Sequence, residues 1–423
     1  MPSTYGDSQS PIIQFRDCRL LYKHRIVKED LWVRDGKILD PEKLFYDEKA
    51  YADIQCNCYG KLIAPGFIDV QINGCFGVDF SSNIDEIEGG LQKVAHGLLA
   101  HGVTSFCPTI ITSSKEIYKR ILPMIRKTKG CKNGAGILGT HLEGPFINRE
   151  KNGAHPVNLI KSYDQNGFKD VLDIYQSLDN VAIVTLAPEI DRSDDVIKEL
   201  RKRGVIVSVG HSMGNLTDAE NAAKNGATFI THLFNAMLPF HHRDPGIVGL
   251  LTSSNIPENS QIFYGMIADG IHTHPAALRI AHRAHPDGIV LITDAMAAMG
   301  LPPGRHYLGS QTVEIVNNSA YIAGTSTLAG SIATMQTCVK HFKQASGCTT
   351  VDALEAASLH PAQLLDIAER KGTLDYGTDA DFIFLDDDLN VQSTYIAGEV
   401  VWQRQGGYPV VSRKRHLNSM ELL

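Results

Sequence analysis

Acidic and imidazole side chains follow four of the short apolar runs in this sequence. Glu143 ends one run, and His211 and His232 directly follow two later ones. One carboxylate and two imidazoles are the ligand set of a catalytic zinc-type site with three protein ligands and one open position. Asp294 follows a fourth run and is suited to act as the acid or base of a hydrolysis. We therefore predict a metal-dependent hydrolase. The alternative is that all four are structural polar groups, with Asp294 as a helix N-cap.

The choice of ion follows from these ligands. Zn²⁺, Fe²⁺, Co²⁺ and Mn²⁺ all accept two imidazoles and a carboxylate, and we expect one ion per subunit, Zn²⁺ before the others. Gln71 and Asn73 stand at two further positions near the metal, but amides bind transition metals weakly, so we expect no second ion. His141 lies two residues before Glu143 on the same predicted strand face and is the residue most easily mistaken for a ligand.

Short apolar runs alternate with helix-compatible segments from residue 62 onward. Eight strands are predicted, at residues 62–71, 104–110, 136–142, 181–186, 205–209, 228–232, 262–268 and 288–293. Segments 84–100, 194–203, 218–225 and 275–284 favour helix by composition and apolar spacing. This alternation predicts an α/β fold, a (β/α)₈ TIM-type barrel with its chemistry at the carboxyl ends of the strands. An open doubly wound sheet is the rival, but Pro65-Gly-Phe-Ile-Asp69 lacks the Gly-rich phosphate-binding pattern.

The two ends of the chain differ from its middle. Residues 12–61 and 380–403 alternate short strands with turns, and neither segment is long enough to bury a core alone. We predict that they pair into one small discontinuous β-sandwich domain of residues 1–64 and 372–412. The barrel then covers residues 65–371, and residues 413–423 form a loose tail.

Composition excludes several other classes of protein. The 423 residues are 43% hydrophobic with a formal charge of −7, spread without a basic block, so neither disorder nor nucleic-acid binding is expected. No run reaches the roughly 18 apolar residues that a bilayer crossing needs, and the polar N-terminus carries no signal pattern. We therefore predict a cytoplasmic protein without membrane contact. The cysteines lack zinc or redox spacing, and we expect reduced thiols.

Several motifs carry a family resemblance. The segment Pro65-Gly-Phe-Ile-Asp-Val-Gln71-Ile-Asn73 resembles the opening motif of the amidohydrolase superfamily, with Gln-x-Asn in place of the usual His-x-His. This replacement is similar to the N-acetylglucosamine-6-phosphate deacetylase family, in which many members carry one metal. The resemblance covers residues 12–403 and includes, in family order, His-Leu-Glu143-Gly-Pro-Phe, Gly-His211-Ser, Thr-His232-Leu-Phe-Asn235-Ala236-Met, Ala-Asp269-Gly-Ile-His272 and Thr-Asp294-Ala.

The resemblance implies an activity and a set of substrate contacts. It implies removal of the acetyl group from a phosphorylated amino sugar, with His155 helping to polarise the acetyl carbonyl. It also implies a homodimer in which Arg243 or His272 reaches a neighbouring subunit's site. Arg243 suits phosphate because its planar donor fork binds in two-point fashion, although a solvated charge run is the alternative. Residues 328–330 are expected to form a small-residue loop beside the sugar. The implied substrate-binding residues are Ala154, Asn235, Ala236, Arg243, Asp269, His272, Leu328, Ala329 and Gly330.

The sequence leaves two other functions open. Other superfamily members hydrolyse or deaminate cyclic amides or nucleobases, and a barrel that has lost its site can serve as a non-catalytic assembly protein. Measuring whether the protein releases acetate or ammonia distinguishes the deacetylase from the first alternative. Metal analysis of the purified protein distinguishes an enzyme from the second.

Overall fold

The computed structural model describes residues 10–406, except 83, 164, 165, 259, 309, 310 and 318, together with the strand Val411–Lys414. Of the predicted tail, residues 415–423 lie outside the described residues, whereas residues 413 and 414 belong to that strand. Within the described part of the chain, no helix combines the length and the apolar character that crossing a membrane requires.

The N-terminal segment supplies strands to two sheets. Asp40 caps an unexpected helix by accepting from the Glu42 N–H, and Pro41 stands in its first turn. The predicted strand 62–71 is two strands that separate at Gly66, where a Cβ would lie 2.2 Å from Thr104 Oγ1. The elements are β1 (Ile13–Arg16), β2 (Arg19–Tyr22), β3 (Arg25–Val27), β4 (Leu31–Arg34), β5 (Lys37–Ile38), α1 (Pro41–Tyr46), β6 (Ile54–Asn57) and β7 (Leu62–Pro65).

Eight parallel strands form the barrel, as predicted. The strands of this region are β8 (Phe67–Ile72), β9 (Gly74–Cys75), β10 (Val78–Asp79), β11 (Val103–Ile111), β12 (Gly136–Ile137), β13 (Thr140–Glu143), β14 (Val181–Leu186), β15 (Ile206–Val209), β16 (Phe229–Ile230), β17 (Phe263–Ile267) and β18 (Ile289–Ile292). The barrel order is β8, β11, β13, β14, β15, β16, β17, β18. β18 returns to β8 through the Asp294 N–H, which donates to the Gln71 carbonyl, and the Asn73 N–H, which donates to the Ala295 carbonyl. β9 and β10 pair as an antiparallel hairpin.

Helices surround the barrel, and the four predicted ones are present, 275–284 with the predicted bounds and the other three with shifted ends. Asn215 and Asp218 form a capping box at the start of the helix Leu216–Lys224, and Pro275 is the first residue of the helix Pro275–Ala284. The helices are α2 (Ile87–Leu98), α3 (Lys115–Ile121), α4 (Phe168–Tyr175), α5 (Ser193–Lys202), α6 (Leu216–Lys224), α7 (Pro275–Ala284), α8 (Met335–Ser346), α9 (Thr350–Glu355) and α10 (Leu359–Leu364). Short 3-10 helices cover Ile84–Glu86, Leu99–His101, Arg149–Lys151, Val157–Leu159, Gly246–Leu251 and Pro286–Gly288.

Apolar side chains are buried on both faces of the barrel sheet. Val70, Ile183, Phe229 and Ile292 lie in one interior cluster, and Leu364 of α10 joins it. The opposite strand faces pack against the surrounding helices in a larger cluster. Because both faces are covered, the strands are continuous apolar runs, which is the pattern that predicted them.

An antiparallel meander, absent from the sequence prediction, lies between β18 and α8. β19 (Gly304–Leu308), β20 (Gln311–Val316), β21 (Ser319–Ile322) and β22 (Leu328–Gly330) pair in that order. The prediction of a loop at residues 328–330 is therefore wrong, because these residues pair with β21 as an edge strand. Ser331 then forms a parallel bridge with Ala295, which brings the end of the meander to the carboxyl end of β18.

The C-terminal segment completes a discontinuous β-sandwich. It forms β23 (Phe382–Leu385), β24 (Val391–Ile396), β25 (Glu399–Gln403) and β26 (Val411–Lys414). The two sheets run β26-β6-β1-β4-β5 and β25-β24-β23-β7-β2-β3, so each contains strands from both ends of the chain. Between them, the ring of Phe382 lies 5.3 Å from that of Phe15 and 4.7 Å from that of Tyr395. This aromatic core confirms the predicted pairing of the two ends.

Candidate active site

The four strand-end residues meet at the carboxyl end of the barrel. Glu143 is the last residue of β13, while His211, His232 and Asp294 each lie two residues beyond β15, β16 and β18. The three residues beyond the strands have positive φ angles of 47°, 26° and 45°. Such angles are uncommon for residues other than glycine and tend to occur where the backbone directs a functional side chain.

Three potential ligand atoms converge on one point. The Nε2 atoms of His211 and His232 are 3.0 Å apart, and each is 3.1 Å from Glu143 Oε1. A tetrahedral ion with ligands about 2.0–2.1 Å away separates them by about 3.3 Å, so this triangle has the size of one face of such a site. His211 Nδ1 donates to the Lys151 carbonyl at 2.7 Å, which leaves the Nε2 lone pair available. The donor set fits a divalent transition metal.

Electrostatics favours a positive charge within this cluster. Burial raises the pKa of Glu143, but its hydrogen bonds to His211 and His232 lower it more, so its pKa lies well below the ordinary value. Burial lowers the pKa of His232, yet the hydrogen bond to Glu143 and the charge of that carboxylate raise it to about 9. A proton on His232 therefore supplies a charge that a bound cation can replace.

His141 lies beneath the cluster. Its Nδ1 atom is 3.0 Å from the Val70 carbonyl, and its Nε2 atom is 2.7 Å from the Thr185 hydroxyl. The Thr185 hydroxyl is in turn 2.7 Å from that of Thr231. Because both ring nitrogens are used inside the barrel, His141 offers no free ligand atom and instead links β13 to β8 and β14.

The side-chain amides of Gln71 and Asn73 both donate hydrogen bonds to Asp294. Asn73 Nδ2 donates to Asp294 Oδ1 at 2.7 Å, and Gln71 Nε2 donates to the same oxygen at 3.3 Å and to Glu143 Oε1 at 3.0 Å. Burial, aided by the charge of Glu143, raises the pKa of Asp294 to about 6. Among the described residues the next helix after Asp294 begins at Met335, so the N-cap interpretation of Asp294 is wrong.

His155 directs a proton donor into the site. The Thr112 N–H donates to His155 Nδ1 at 3.2 Å, so this nitrogen carries no proton and the ring proton is on Nε2. His155 Nε2 lies 3.9 Å from Glu143 Oε2. Burial, with a smaller contribution from the neighbouring His211, lowers the pKa of His155 to about 3, which keeps the ring neutral. Glu143, His155 and His211 each place an atom within 4.8 Å of the others, but His155 presents an N–H there and not a lone pair.

Four of the predicted substrate-binding residues lie on turns beside this cluster. The Asn235 N–H donates to the His232 carbonyl at 2.9 Å, and the Ala236 carbonyl accepts from the Ser212 N–H at 3.0 Å. His272 Nδ1 donates to Asp269 Oδ2 at 2.5 Å. Burial lowers the pKa of His272, but the bond to Asp269 and its charge raise it overall, with a smaller contribution from Asp294.

The remaining predicted contacts lie further out. Arg243 is exposed in a turn closed by a bridge between His241 and Asp244, and among the described residues no contact joins its side chain to the cluster. Ala154 is exposed next to the buried His155. Residues 328–330 lead into Ser331, which bridges to Ala295, and a Cβ on Gly330 would lie 3.4 Å from the Met296 sulfur.

Two residues that shape the site are not among the predicted ones. Thr112, directly after β11, contacts His155. Glu189 accepts from Asn148 Nδ2 at 2.9 Å, from the Ser212 hydroxyl at 2.5 Å and from the Met213 N–H at 2.7 Å, which ties together the segments after β13, β14 and β15. Both residues follow barrel strands, so inspecting all eight strand ends is the signal that could have found them.

A second group of potential ligands lies outside the barrel mouth. His282, Cys348 and Asp352 each place one atom within 4.8 Å of the others. Asp352 and Thr349 form the capping box of α9, and burial raises the pKa of the Cys348 thiol. Helix capping accounts for the carboxylate, and we assign no metal to this group.

The barrel with its ligand triangle and buried acid defines a hydrolase fold with a candidate metal site. The sequence pattern of the amidohydrolase family matches residues 62–401. The N-acetylglucosamine-6-phosphate deacetylase of Danio rerio is 62% identical over 404 residues, which are 96% of this chain and 100% of the relative. The Homo sapiens protein of the same name is 60% identical over 403 residues, 95% of this chain and 98% of the relative.

A solved structure similar to this chain is also an N-acetylglucosamine-6-phosphate deacetylase by name. A mutant of the Mycobacterium smegmatis deacetylase, in complex with N-acetyl-D-glucosamine-6-phosphate, is similar to this chain with a TM-score of 0.76 and 30% identity. The similarity covers 93% of this chain and 99% of that one. The chain therefore belongs to the amidohydrolase family and, within it, to the N-acetylglucosamine-6-phosphate deacetylases.

Proposed function

We propose that this protein hydrolyses N-acetyl-D-glucosamine 6-phosphate to D-glucosamine 6-phosphate and acetate in the recycling of amino sugars. One observation carries the proposal: the ligand atoms of Glu143, His211 and His232 lie within 3.1 Å of one another, and Gln71 connects them to Asp294. Relatives that bear this activity in their names match nearly the whole chain.

Glu143, His211 and His232 are the residues that would hold the ion. When bound, a divalent ion supplies Lewis-acid chemistry, which polarises an amide carbonyl and lowers the pKa of water. We assign Zn²⁺, with Fe²⁺, Co²⁺ and Mn²⁺ as ions that the same donors accept. The expectation of one ion per subunit is supported by Gln71 and Asn73, whose N–H groups bind the carboxylates and whose amide oxygens are weak ligands for a transition metal.

Asp294 is assigned to proton transfer. With a pKa of about 6 it is largely ionised at neutral pH and still basic enough to accept a proton from the attacking water. The two amides bind Oδ1, so Oδ2 is the oxygen they leave available. Asp294 then returns the proton to the nitrogen as the carbon–nitrogen bond breaks, which gives acetate and a free amine.

His155 is assigned to the acetyl carbonyl. Its Nε2–H points into the site and its ring is neutral, so it can donate to the carbonyl oxygen without carrying a charge of its own. Negative charge grows on that oxygen as water adds, and a fixed donor is worth more in that transition state than in the ground state.

The sugar phosphate is assigned to the turns around the cluster. Asn235, Ala236, Asp269 and His272 would contact it, with Ala154 and residues 328–330 at the rim. Arg243 is assigned to the phosphate. Because its side chain is exposed and has no described contact with its own cluster, we propose a homodimer in which Arg243 reaches the site of the other subunit. The oligomeric mass measured by light scattering tests this.

The cellular location and the limits of the two domains are proposed from the sequence. We propose a cytoplasmic enzyme with a sandwich of residues 1–64 and 372–412 and a barrel of residues 65–371. Limited proteolysis would test the limits, because the sandwich needs both of its segments to form its core.

Acetate release from N-acetylglucosamine 6-phosphate, measured after chelation and after readdition of Zn²⁺, tests the function. We expect activity that chelation removes and Zn²⁺ restores. Ammonia from nucleobases or ring opening of cyclic amides, without acetate, would instead place the protein among other amidohydrolases. A purified protein that binds no metal even after reconstitution would favour the non-catalytic assembly role.

A further inference from the structure

Thr112 contacts the Nδ1 side of the His155 ring with both its backbone N–H and its hydroxyl. The Thr112 N–H donates to His155 Nδ1 at 3.2 Å, and the Thr112 hydroxyl lies 2.8 Å from the same atom. A backbone N–H can only donate, so both contacts are satisfied together when Nδ1 is a lone pair and the hydroxyl donates as well. In the other tautomer the Thr112 hydroxyl could accept from the Nδ1–H, but the Thr112 N–H would then face a hydrogen and not a lone pair.

We infer that Thr112 is a positioning residue that fixes the tautomer and orientation of His155, so that its Nε2–H faces the substrate carbonyl. This inference rests on the carbonyl role proposed for His155. It extends that role, because without Thr112 the same ring could present a lone pair, and a lone pair would repel the carbonyl oxygen that it is meant to stabilise.

The surroundings of Thr112 keep the arrangement rigid. Thr112 is buried, and a Cβ on Gly144 would lie 2.2 Å from its hydroxyl oxygen, so only glycine at that position lets the chain pass so close. Gly144 has a φ of 80°, which glycine adopts without strain. The Gly144 carbonyl accepts from the Tyr175 hydroxyl at 2.8 Å and from the Tyr118 hydroxyl at 3.3 Å. Thr112 is therefore packed against Gly144, whose own position is fixed by two tyrosine hydroxyls.

Substitutions at Thr112 test the inference kinetically. Thr112→Val keeps the backbone N–H and the branched shape but removes the shorter donor, and we expect kcat to fall about 10- to 100-fold, the usual effect of losing a partner that orients an active-site histidine. KM and metal content should stay unchanged. Thr112→Ser retains the hydroxyl and should restore kcat to within about threefold. Full activity in Thr112→Ser ties the loss to the missing hydroxyl, whereas equal losses in both variants, or a loss of metal or of folding in Thr112→Val, contradict the inference.

A His155→Gln variant distinguishes the positioning of His155 by Thr112 from a contribution of Thr112 to the stability of the fold. In His155→Gln there is no imidazole to orient, so Thr112→Val should add less than about twofold to the loss. If Thr112→Val costs the same factor in both backgrounds, Thr112 acts on the fold and not through His155, and the inference is wrong.

Nitrogen NMR tests the tautomer without relying on turnover. In the zinc-loaded protein, the signal assigned to His155 by its absence in His155→Gln should show a protonated Nε2 and an unprotonated Nδ1. An Nδ1–H ring overturns the inference whatever the activity. An Nε2–H ring in a protein that releases no acetate supports the placement by Thr112 and refutes the proposed function alone.

Discussion

Replacing Asp294 by asparagine removes a proton carrier and little else. The Asn73 and Gln71 amides donate to Asp294 Oδ1 at 2.7 and 3.3 Å, and the carbonyl oxygen of an asparagine can accept both bonds. The new amide nitrogen then takes the place of Oδ2, the oxygen assigned to the proton. We therefore expect Asp294→Asn to fold, to retain metal and to bind substrate with a similar KM.

The size of the loss follows from the step that is removed. A positioned acid or base contributes about 10²–10⁴-fold to a rate, so kcat should fall by that factor, or about 3–5 kcal/mol in transition-state free energy. The pH profile gives a second measure. Only the carboxylate accepts a proton, so wild-type kcat should fall about tenfold per pH unit on the acid side of the Asp294 pKa. Burial raises that pKa to about 6, and a bound cation opposes the shift, so about 6 is the upper limit of this transition.

The assay is acetate release at saturating substrate between pH 4 and 9 for both proteins, with metal content measured on the same samples. Asp79→Asn is the matched control, because Asp79 is a half-buried carboxylate that accepts from the N–H groups of Ser81 and Ser82 at 2.8 and 3.0 Å. Its kcat should be unchanged. If Asp294→Asn keeps kcat within tenfold of wild type, or keeps the acid-side transition, the acid–base role is refuted.

Three further outcomes are expected. Zinc occupancy after dialysis should fall in both His211→Ala and His232→Ala. It should fall less in His141→Ala, because both nitrogens of His141 already have partners. The opposite order would make His141 a ligand. With a pKa of about 9, metal-free His232 is protonated at pH 7, so the binding of zinc should release about one proton. The affinity for zinc should therefore rise about tenfold per pH unit until the pH reaches about 9. Calorimetry in two buffers measures the proton release. Arg243→Ala should lower kcat/KM for the 6-phosphate substrate about ten- to a hundredfold, or about 1.5–3 kcal/mol, and leave N-acetylglucosamine unaffected; equal losses would exclude phosphate recognition.

The barrel was predictable because its strands are buried on both faces. Val70, Ile183 and Ile292 line the interior while their neighbours pack under helices, and this double burial gives continuous apolar runs that single-sequence reasoning detects. The meander at residues 304–330 was missed for the opposite reason. Tyr307 is 85% exposed whereas Val313 and Ile315 are buried, so its short strands bury one face only and lack the continuous apolar runs of the barrel strands.

The sequence by itself determined which residue types stand at the ends of the barrel strands, because that depends only on the order of the strands along the chain. Glu143, His211, His232 and Asp294 could therefore be named without coordinates. Which nitrogen of each imidazole is free depends on partners far away in sequence: His141 is bonded to Val70, 71 residues earlier, and His155 to Thr112, 43 residues earlier. Only the tertiary structure brings those partners together, because a hydrogen bond requires a donor and an acceptor about 3 Å apart, whatever their separation along the chain.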